Sequence, residues 1–148
     1  MAIDTPEPLV PPEAGSAAQS NTSINPQPLR ILVVDDDEDL RDTLAAVLSP
    51  NYCVRVAFDG MDGYTKAQDE PRPDLIIADV TMPGLDGITM VRRIREIDGL
   101  GRVPVIFFTG QMSTQNVIAG LSVGTFAYLS KTCAAGLLEE KVKRALWR

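Results

Sequence analysis

Four apolar runs in this sequence end in polar residues of a particular kind. Ile31-Leu32-Val33-Val34 runs into Asp35-Asp36-Asp37, and Leu75-Ile76-Ile77-Ala78 runs into Asp79. Pro104-Val105-Ile106-Phe107-Phe108 runs into Thr109, and the Phe126 segment runs into Ser130-Lys131. Carboxylates brought near one point repel each other and cost stability unless a cation joins them. A hard cation with oxygen ligands fits such a set. Magnesium suits one or two carboxylates completed by water and phosphate oxygens, and manganese is the alternative ion. A lysine adds a point charge for a phosphoryl oxygen, and a threonine hydroxyl donates a hydrogen bond to one. Carboxylates also form acyl phosphates as covalent intermediates. Asp79 stands alone at the end of its run, which makes it the best phospho-acceptor candidate. The Asp35-Asp36 pair is then left for the metal.

The elements that must position these groups follow from periodicity. After the first run, Leu40, Leu44, Val47 and Leu48 repeat at helical spacing until Pro50. A strand is expected over Tyr52 to Ala57, and a helix over Asp59 to Asp69 in spite of Gly60 and Gly63. Ile88, Val91, Ile94 and Ile97 mark a third helix behind the Met82-Pro83-Gly84 loop. Ser113 to Val123 reads as a fourth helix with Ser113 or Thr114 as cap. Phe126 to Ser130 reads as the fifth strand, and Gly136 to Leu146 as the last helix. Strand and helix alternate five times, and the strands lack polar alternation. Such strands are buried on both faces of a parallel sheet covered by helices. The expected fold class is therefore α/β, a doubly wound, five-stranded parallel sheet of (βα)5 type. Ligands of such sheets sit beyond the carboxyl ends of the strands, where the polar residues above are placed.

Composition narrows the function classes. With 14 Lys and Arg against 20 Asp and Glu, the net charge is -6. The basic footprint of nucleic-acid binding is missing, so we expect no nucleic-acid partner. No apolar run reaches the about 20 residues of a membrane span, and the N-terminus lacks a basic stretch followed by an apolar one. Cys53 and Cys133 form no CxxC pair. A reducing cytoplasm, with no membrane partner, is the expectation. The absence of histidine rules out a histidine base, phosphocarrier or metal ligand within this sequence. Residues 1 to 28 carry Pro6, Pro8, Pro11, Pro12, Pro26 and Pro28 without a helical or strand period. We expect a disordered arm there and one folded domain over residues 29 to 148.

In combination these segments resemble the receiver domains of bacterial two-component response regulators, over residues 29 to 148. ILVVDDDEDLR is similar to the family's first strand with its acidic pair. PDLIIADVTMPGLDG resembles the acceptor strand and loop, with Met82, Pro83 and Gly87 in register behind Asp79. PVIFFTG and TFAYLSK resemble the segments of the switch threonine and of the switch aromatic and lysine. The resemblance implies a flavodoxin-like fold and a phospho-acceptor that catalyses only its own phosphorylation and dephosphorylation. It implies that Asp35, Asp36, Asp79 and the backbone carbonyl of Thr81 hold Mg2+. Asp79 takes phosphate from a sensor histidine kinase or phosphotransfer protein. Thr109 and Lys131 bind the phosphoryl oxygens, and Tyr128 changes rotamer. Thr81 and Gln111 flank the path of the hydrolytic water and set the lifetime of the phosphoryl group. The signalling face implied is helix four, strand five and helix five, here offering Gln115, Ala119, Tyr128, Glu140 and Lys143 to a downstream protein. The family usually has proline after the lysine; Thr132 stands there instead. Because a non-proline cis peptide costs about 3 kcal/mol, a trans peptide and a reshaped loop are expected.

Other polar residues have plainer readings. Asp37 and Glu38 suit a solvated helix start, and Asp86 suits a helix cap. Arg92, Arg93 and Arg95 read as a solvated helix face. Cys53 and Cys133 read as small packing residues, and Gly60 and Gly63 as loop and helix-start geometry. At the level of the whole protein we expect a stand-alone receiver, monomeric or weakly dimeric. The alternatives are a pseudo-receiver that only binds partners, and a receiver piece of a longer regulator. A phosphatase with Asp79 as nucleophile is disfavoured, since Thr81 stands where such enzymes place an acid.

Overall fold

A computed structural model describes residues 27–147 apart from Gln111 and Ala134. The expected arm therefore lies, except for residues 27 and 28, outside the described residues, as does Gln111. Strands β1 (Arg30–Val34), β2 (Cys53–Ala57), β3 (Leu75–Ala78), β4 (Val105–Thr109) and β5 (Ala127–Ser130) alternate with helices. These helices are α1 (Glu38–Leu48), α2 (Gly60–Gln68), α3 (Gly87–Ile94), α4 (Thr114–Ser122) and α5 (Ala135–Leu146). All pairings are parallel, in the order β2-β1-β3-β4-β5. This is the doubly wound (βα)5 sheet that the alternation demanded.

Strand periodicity sorts the core into two layers. Leu32, Val34, Ile76, Ala78, Val105 and Phe107 face Ala67 of α2 and Met90, Val91 and Ile94 of α3. Their neighbours Ile31, Val33, Leu75, Ile77, Ile106 and Phe108 face Leu44 and Leu48 of α1 and Leu138, Val142 and Ala145 of α5. Because both faces are covered, the strands need no polar side, and β3 and β4 are buried throughout.

Four helices start at side-chain caps. The carboxylates of Asp37, Asp59 and Asp86 accept from the N–H of Leu40, Asp62 and Thr89, and the Ser113 hydroxyl accepts from that of Asn116. Asp37, Asp86 and Ser113 thus cap as expected. Helix α3 is shorter than its apolar spacing suggested. It ends at Ile94, with Ile97 in the turns that follow.

Two side-chain expectations, for Arg95 and Cys53, are corrected. Arg95 is half-buried rather than solvated. Its guanidinium donates to the carbonyls of Val123 at 3.0 Å, Val103 at 2.5 Å and Gly124 at 3.2 Å, tying α3 to the loops that lead into β4 and β5. Burial lowers its pKa from the usual value. Gly60 and Gly63 lie at the start of α2 as expected, and both also allow close approach. A Cβ on Gly60 would lie 2.1 Å from the Leu85 carbonyl oxygen, and one on Gly63 would lie 2.7 Å from Met90 Sδ. Cys133 packs against the second core layer as expected, but Cys53 is exposed on the edge strand. Among the described residues no helix is long and apolar enough to cross a membrane.

Candidate functional site

The site is built by register. Val34 of β1 lies level with Ala78 of β3, so the next residues, Asp35 and Asp79, end adjacent central strands about 4.8 Å apart. The backbone carries this pairing one step past the strands, since Asp79 N–H donates to the Val34 carbonyl and Asp35 N–H to that of Ala57. The chain leaves β1 toward β2 and leaves β3 toward β4, on opposite sides. The two acids therefore stand at the switch point of the sheet, where open α/β folds bind ligands. Asp36 follows on the rim. Asp35, Asp36 and Asp79 each offer a carboxylate oxygen within 4.8 Å of the others. Asp35 and Asp79 are only 2% and 6% exposed, while Asp36 is open to solvent.

Lys131 enters from β5. Thr109 pairs with Ser130, and Lys131 N–H continues the ladder to the Thr109 carbonyl at 2.9 Å. Its Nζ then donates to Asp79 Oδ2 at 2.8 Å and lies 2.9 Å from Asp35 Oδ2. The peptide after Lys131 is trans, since the cis bond among the described residues is Glu70–Pro71. Thr132 in place of the usual proline thus leaves the lysine within reach of both acids. Thr109 is fully buried at the end of β4.

The charges are unequally compensated. Burial raises the Asp35 pKa, and the Asp79 charge adds to this. The Lys131 hydrogen bond and charge and the Asp37 N–H oppose it. Burial works to lower the Lys131 pKa, but the hydrogen bonds and charges of Asp79 and Asp35 outweigh it and raise the value. One ammonium faces three carboxylates. That excess of negative charge, on clustered oxygens open to solvent at Asp36, fits a hard divalent cation. Asp35, Asp36 and Asp79 are the side chains that would hold it. Thr81 lies beside them, its N–H donating to Asp79 Oδ1 at 3.2 Å.

Tyr128 is half-buried on the edge strand. Its ring packs on Phe107 with centroids 5.8 Å apart and a 52° tilt. Burial raises its phenol pKa, and the Asp79 charge adds to the shift. Gly120 of α4 makes room for the ring, since a Cβ there would lie 3.0 Å from Tyr128 Cδ2 and Cε2. One support escaped the sequence reading. Arg41 of α1 donates to the Asp35 carbonyl at 2.7 Å and braces the acidic turn. Gly87 lets α3 start against the segment that carries Asp79, where a Cβ would lie 2.0 Å from the Asp79 carbonyl oxygen. Gly87 was expected in register behind Asp79, while nothing in the spacing marked Arg41.

Comparison with known proteins assigns the family. The sequence model of the response regulator receiver domain matches residues 31–143. The chain belongs to the receiver domain family of response regulators. Receiver domains are phospho-acceptor signalling domains, and they bind Mg2+ at an acidic pocket. The chain is 39% identical over 118 residues to the response regulator MprA of a Mycobacterium species, covering 79% of this chain and 49% of that protein. It is 35% identical to the transcriptional regulatory protein AfsQ1 of Streptomyces coelicolor, covering 80% and 51%. The chain thus spans about half the length of the curated relatives it matches. Among solved structures it is similar to the chemotaxis response regulator CheY4 of Vibrio cholerae. That match has 30% identity and a TM-score of 0.74, and covers 81% of this chain and 100% of the other. A putative response regulator of Chloroflexus aurantiacus gives 33% identity and a TM-score of 0.75, covering 82% and 100%.

Proposed function

We propose that Asp79 accepts a phosphoryl group, with Mg2+ held by Asp35, Asp36, Asp79 and the Thr81 carbonyl, and that this acceptor state controls a protein-binding face. The observation that carries the reading is the Lys131 ammonium, 2.8 Å from Asp79 and 2.9 Å from Asp35, beside three clustered carboxylates. In this reading Asp79 Oδ attacks phosphorus while the bond to the donor breaks, and the leaving group departs with the electron pair. The cation, when bound, supplies charge stabilisation for the phosphoryl oxygens. Lys131 and the Thr109 hydroxyl would bind phosphoryl oxygens. In this reading the chain receives phosphate from a sensor kinase or phosphotransfer protein. Tyr128 and the α4–β5–α5 face pass the change to a downstream protein.

The test is phosphoryl uptake. Wild type and Asp79→Asn are incubated with acetyl phosphate and Mg2+, and intact mass is recorded. We expect one phosphate adduct on wild type and none on Asp79→Asn. Equal adducts on both, or none on wild type, reject the acceptor assignment and favour a pure interaction module.

At the level of the whole protein, the stand-alone reading competes with that of a receiver within a longer regulator. The second is favoured by the half-length match to MprA and AfsQ1. The transcriptional role in the AfsQ1 name would reach this chain only through that reading. The mass of the native gene product, measured from source cells, separates the two.

A further inference from the structure

The segment that carries Lys131 is closed by a pair of hydroxyls. Ser130 Oγ and Thr132 Oγ1 lie 2.7 Å apart, and the Thr132 N–H donates to Ser130 Oγ at 3.1 Å. The Cys133 N–H donates to the Ser130 carbonyl at 3.0 Å, so a backbone turn and a side-chain bridge span the same residues. Thr132 supplies an amide hydrogen that a proline at this position would lack, and that hydrogen ends on Ser130. A serine hydroxyl has two acceptor sites and one donor, enough to hold both the Thr132 amide and the Thr132 hydroxyl. Lys131 lies between the two bridged residues, its own N–H fixed on Thr109. Its side chain runs to the acids while its neighbours are bonded to each other. Rotation about its backbone would break either the bridge or the ladder bond.

We propose that Ser130 and Thr132 are positioning residues for Lys131: their hydroxyl bridge fixes the β5–α5 turn so that the ammonium stays on Asp79 and Asp35. The proposal rests on Asp79 being the acceptor only for its kinetic consequence. The geometric consequence, a lysine held in place, stands independently. A long, flexible side chain loses rotamer freedom when fixed. A turn that points it correctly lowers what its two ion-pair contacts must offset.

Two measurements separate the proposal from the acceptor reading. The first is the rate at which Lys131 is acylated by an N-hydroxysuccinimide ester, read by peptide mass mapping and needing no phosphate chemistry. Ser130→Ala should raise it severalfold. Thr132→Val, which keeps the shape and loses the hydroxyl, should raise it less, and Thr132→Ser should restore protection. Protection unchanged in Ser130→Ala would overturn the proposal. The second is uptake from acetyl phosphate. Ser130→Ala should slow it roughly two- to tenfold, the rate equivalent of one ordinary hydrogen bond. The same substitution in a Lys131→Ala background should have no further effect, since a positioning residue acts through the lysine. Persistence of the full effect without Lys131 would overturn it. If wild type takes up no phosphate while Lys131 protection responds as expected, the acceptor reading fails and the positioning role holds.

Discussion

A Cβ placed on Gly87 would lie 2.0 Å from the carbonyl oxygen of Asp79. Both partners are backbone-fixed, because Gly87 opens α3 and its N–H donates to the Val80 carbonyl at 2.8 Å. The first turn of α3 therefore packs directly on the segment that carries Asp79, and only a residue without a side chain allows it.

Gly87→Ala should therefore destabilise the domain by about 2 kcal/mol, as overpacking against an unyielding neighbour does. Gly136→Ala serves as the contrast. A Cβ there meets nothing within 4 Å, and alanine favours the helix by up to about 1 kcal/mol. Urea unfolding of both variants checks the pair. A Gly87→Ala midpoint equal to that of wild type would show that α3 shifts away freely.

Arg95 works at the opposite end of the sheet from Asp79. Its guanidinium holds the carbonyls that lead into β4 and β5, and no substitute presents the same planar fork. Arg95→Lys and Arg95→Ala should each cost about 2 kcal/mol of unfolding free energy. Phosphoryl uptake at saturating Mg2+ should stay at the wild-type rate. Loss of uptake in a variant that remains folded would place Arg95 in communication with the acidic end.

What could be read in the sequence was whatever a parallel sheet forces. Once β1 and β3 are adjacent and in register, Asp35 and Asp79 have to meet, and the apolar runs before them gave that register away. Thr109 and Lys131 were legible for the same reason. Helix starts were legible where a cap residue sat in front of them, as at Asp37 and Asp86. Arg95 was not, because helical periodicity says which residues leave the apolar face but not which loop carbonyls wait beside that face. Gly60 and Gly63 were legible as helix-start residues, but their packing role was not, for a similar reason. Their purpose is the approach of Leu85, Met90 and Val34, which are distant in sequence. Cys53 showed its limit differently. It begins an edge strand, and exposure there depends on which strand the fold leaves without a second neighbour.

Tyr128 gives a pH prediction. Its phenol pKa is raised above 10.0, by burial first and by the charge on Asp79 second. The neutral phenol is thus favoured in the folded state, a contribution to stability that is present below pH 10.0 and is lost as pH rises through the folded value. The Tyr128 component of the tyrosinate titration, isolated by subtracting Tyr128→Phe, should have its midpoint above 10.0. Asp79→Asn should lower that midpoint without abolishing the shift, because burial remains. A midpoint that ignores Asp79→Asn would remove the electrostatic link between acceptor and aromatic.

Asp36 tests the metal reading. It is the exposed member of the acidic cluster. Asp36→Ala should weaken Mg2+ binding on the order of tenfold or more, measured by titration. Solvent screens its repulsion with Asp35 and Asp79, so the gain in metal-free stability should stay under about 1 kcal/mol. Unchanged affinity would reject Asp36 as a ligand.

The lifetime of a phosphoryl group on Asp79 should be set beside Thr81. Hydrolysis needs a water in line with phosphorus, and Thr81 is exposed with its N–H on Asp79 Oδ1 at 3.2 Å. Its side chain therefore starts from the rim of the acceptor. Threonine carries no charge, so it supplies neither a carboxylate base nor a cation, and it is too small to shut water out. We expect spontaneous loss at a rate intermediate for the family. Gln111, the other residue that the family pattern puts on this path, is likewise uncharged. Thr81→Arg adds bulk and a cation at the rim and should slow loss severalfold. It should leave uptake measurable, because the Asp35, Asp79 and Lys131 contacts do not involve the Thr81 side chain. The measurement is decay of the phosphorylated fraction by intact mass, in Mg2+, after acetyl phosphate is removed. Decay that is unchanged in both Thr81→Arg and Gln111→Arg would mean that the water reaches phosphorus by another route, most directly from the open side at Asp36.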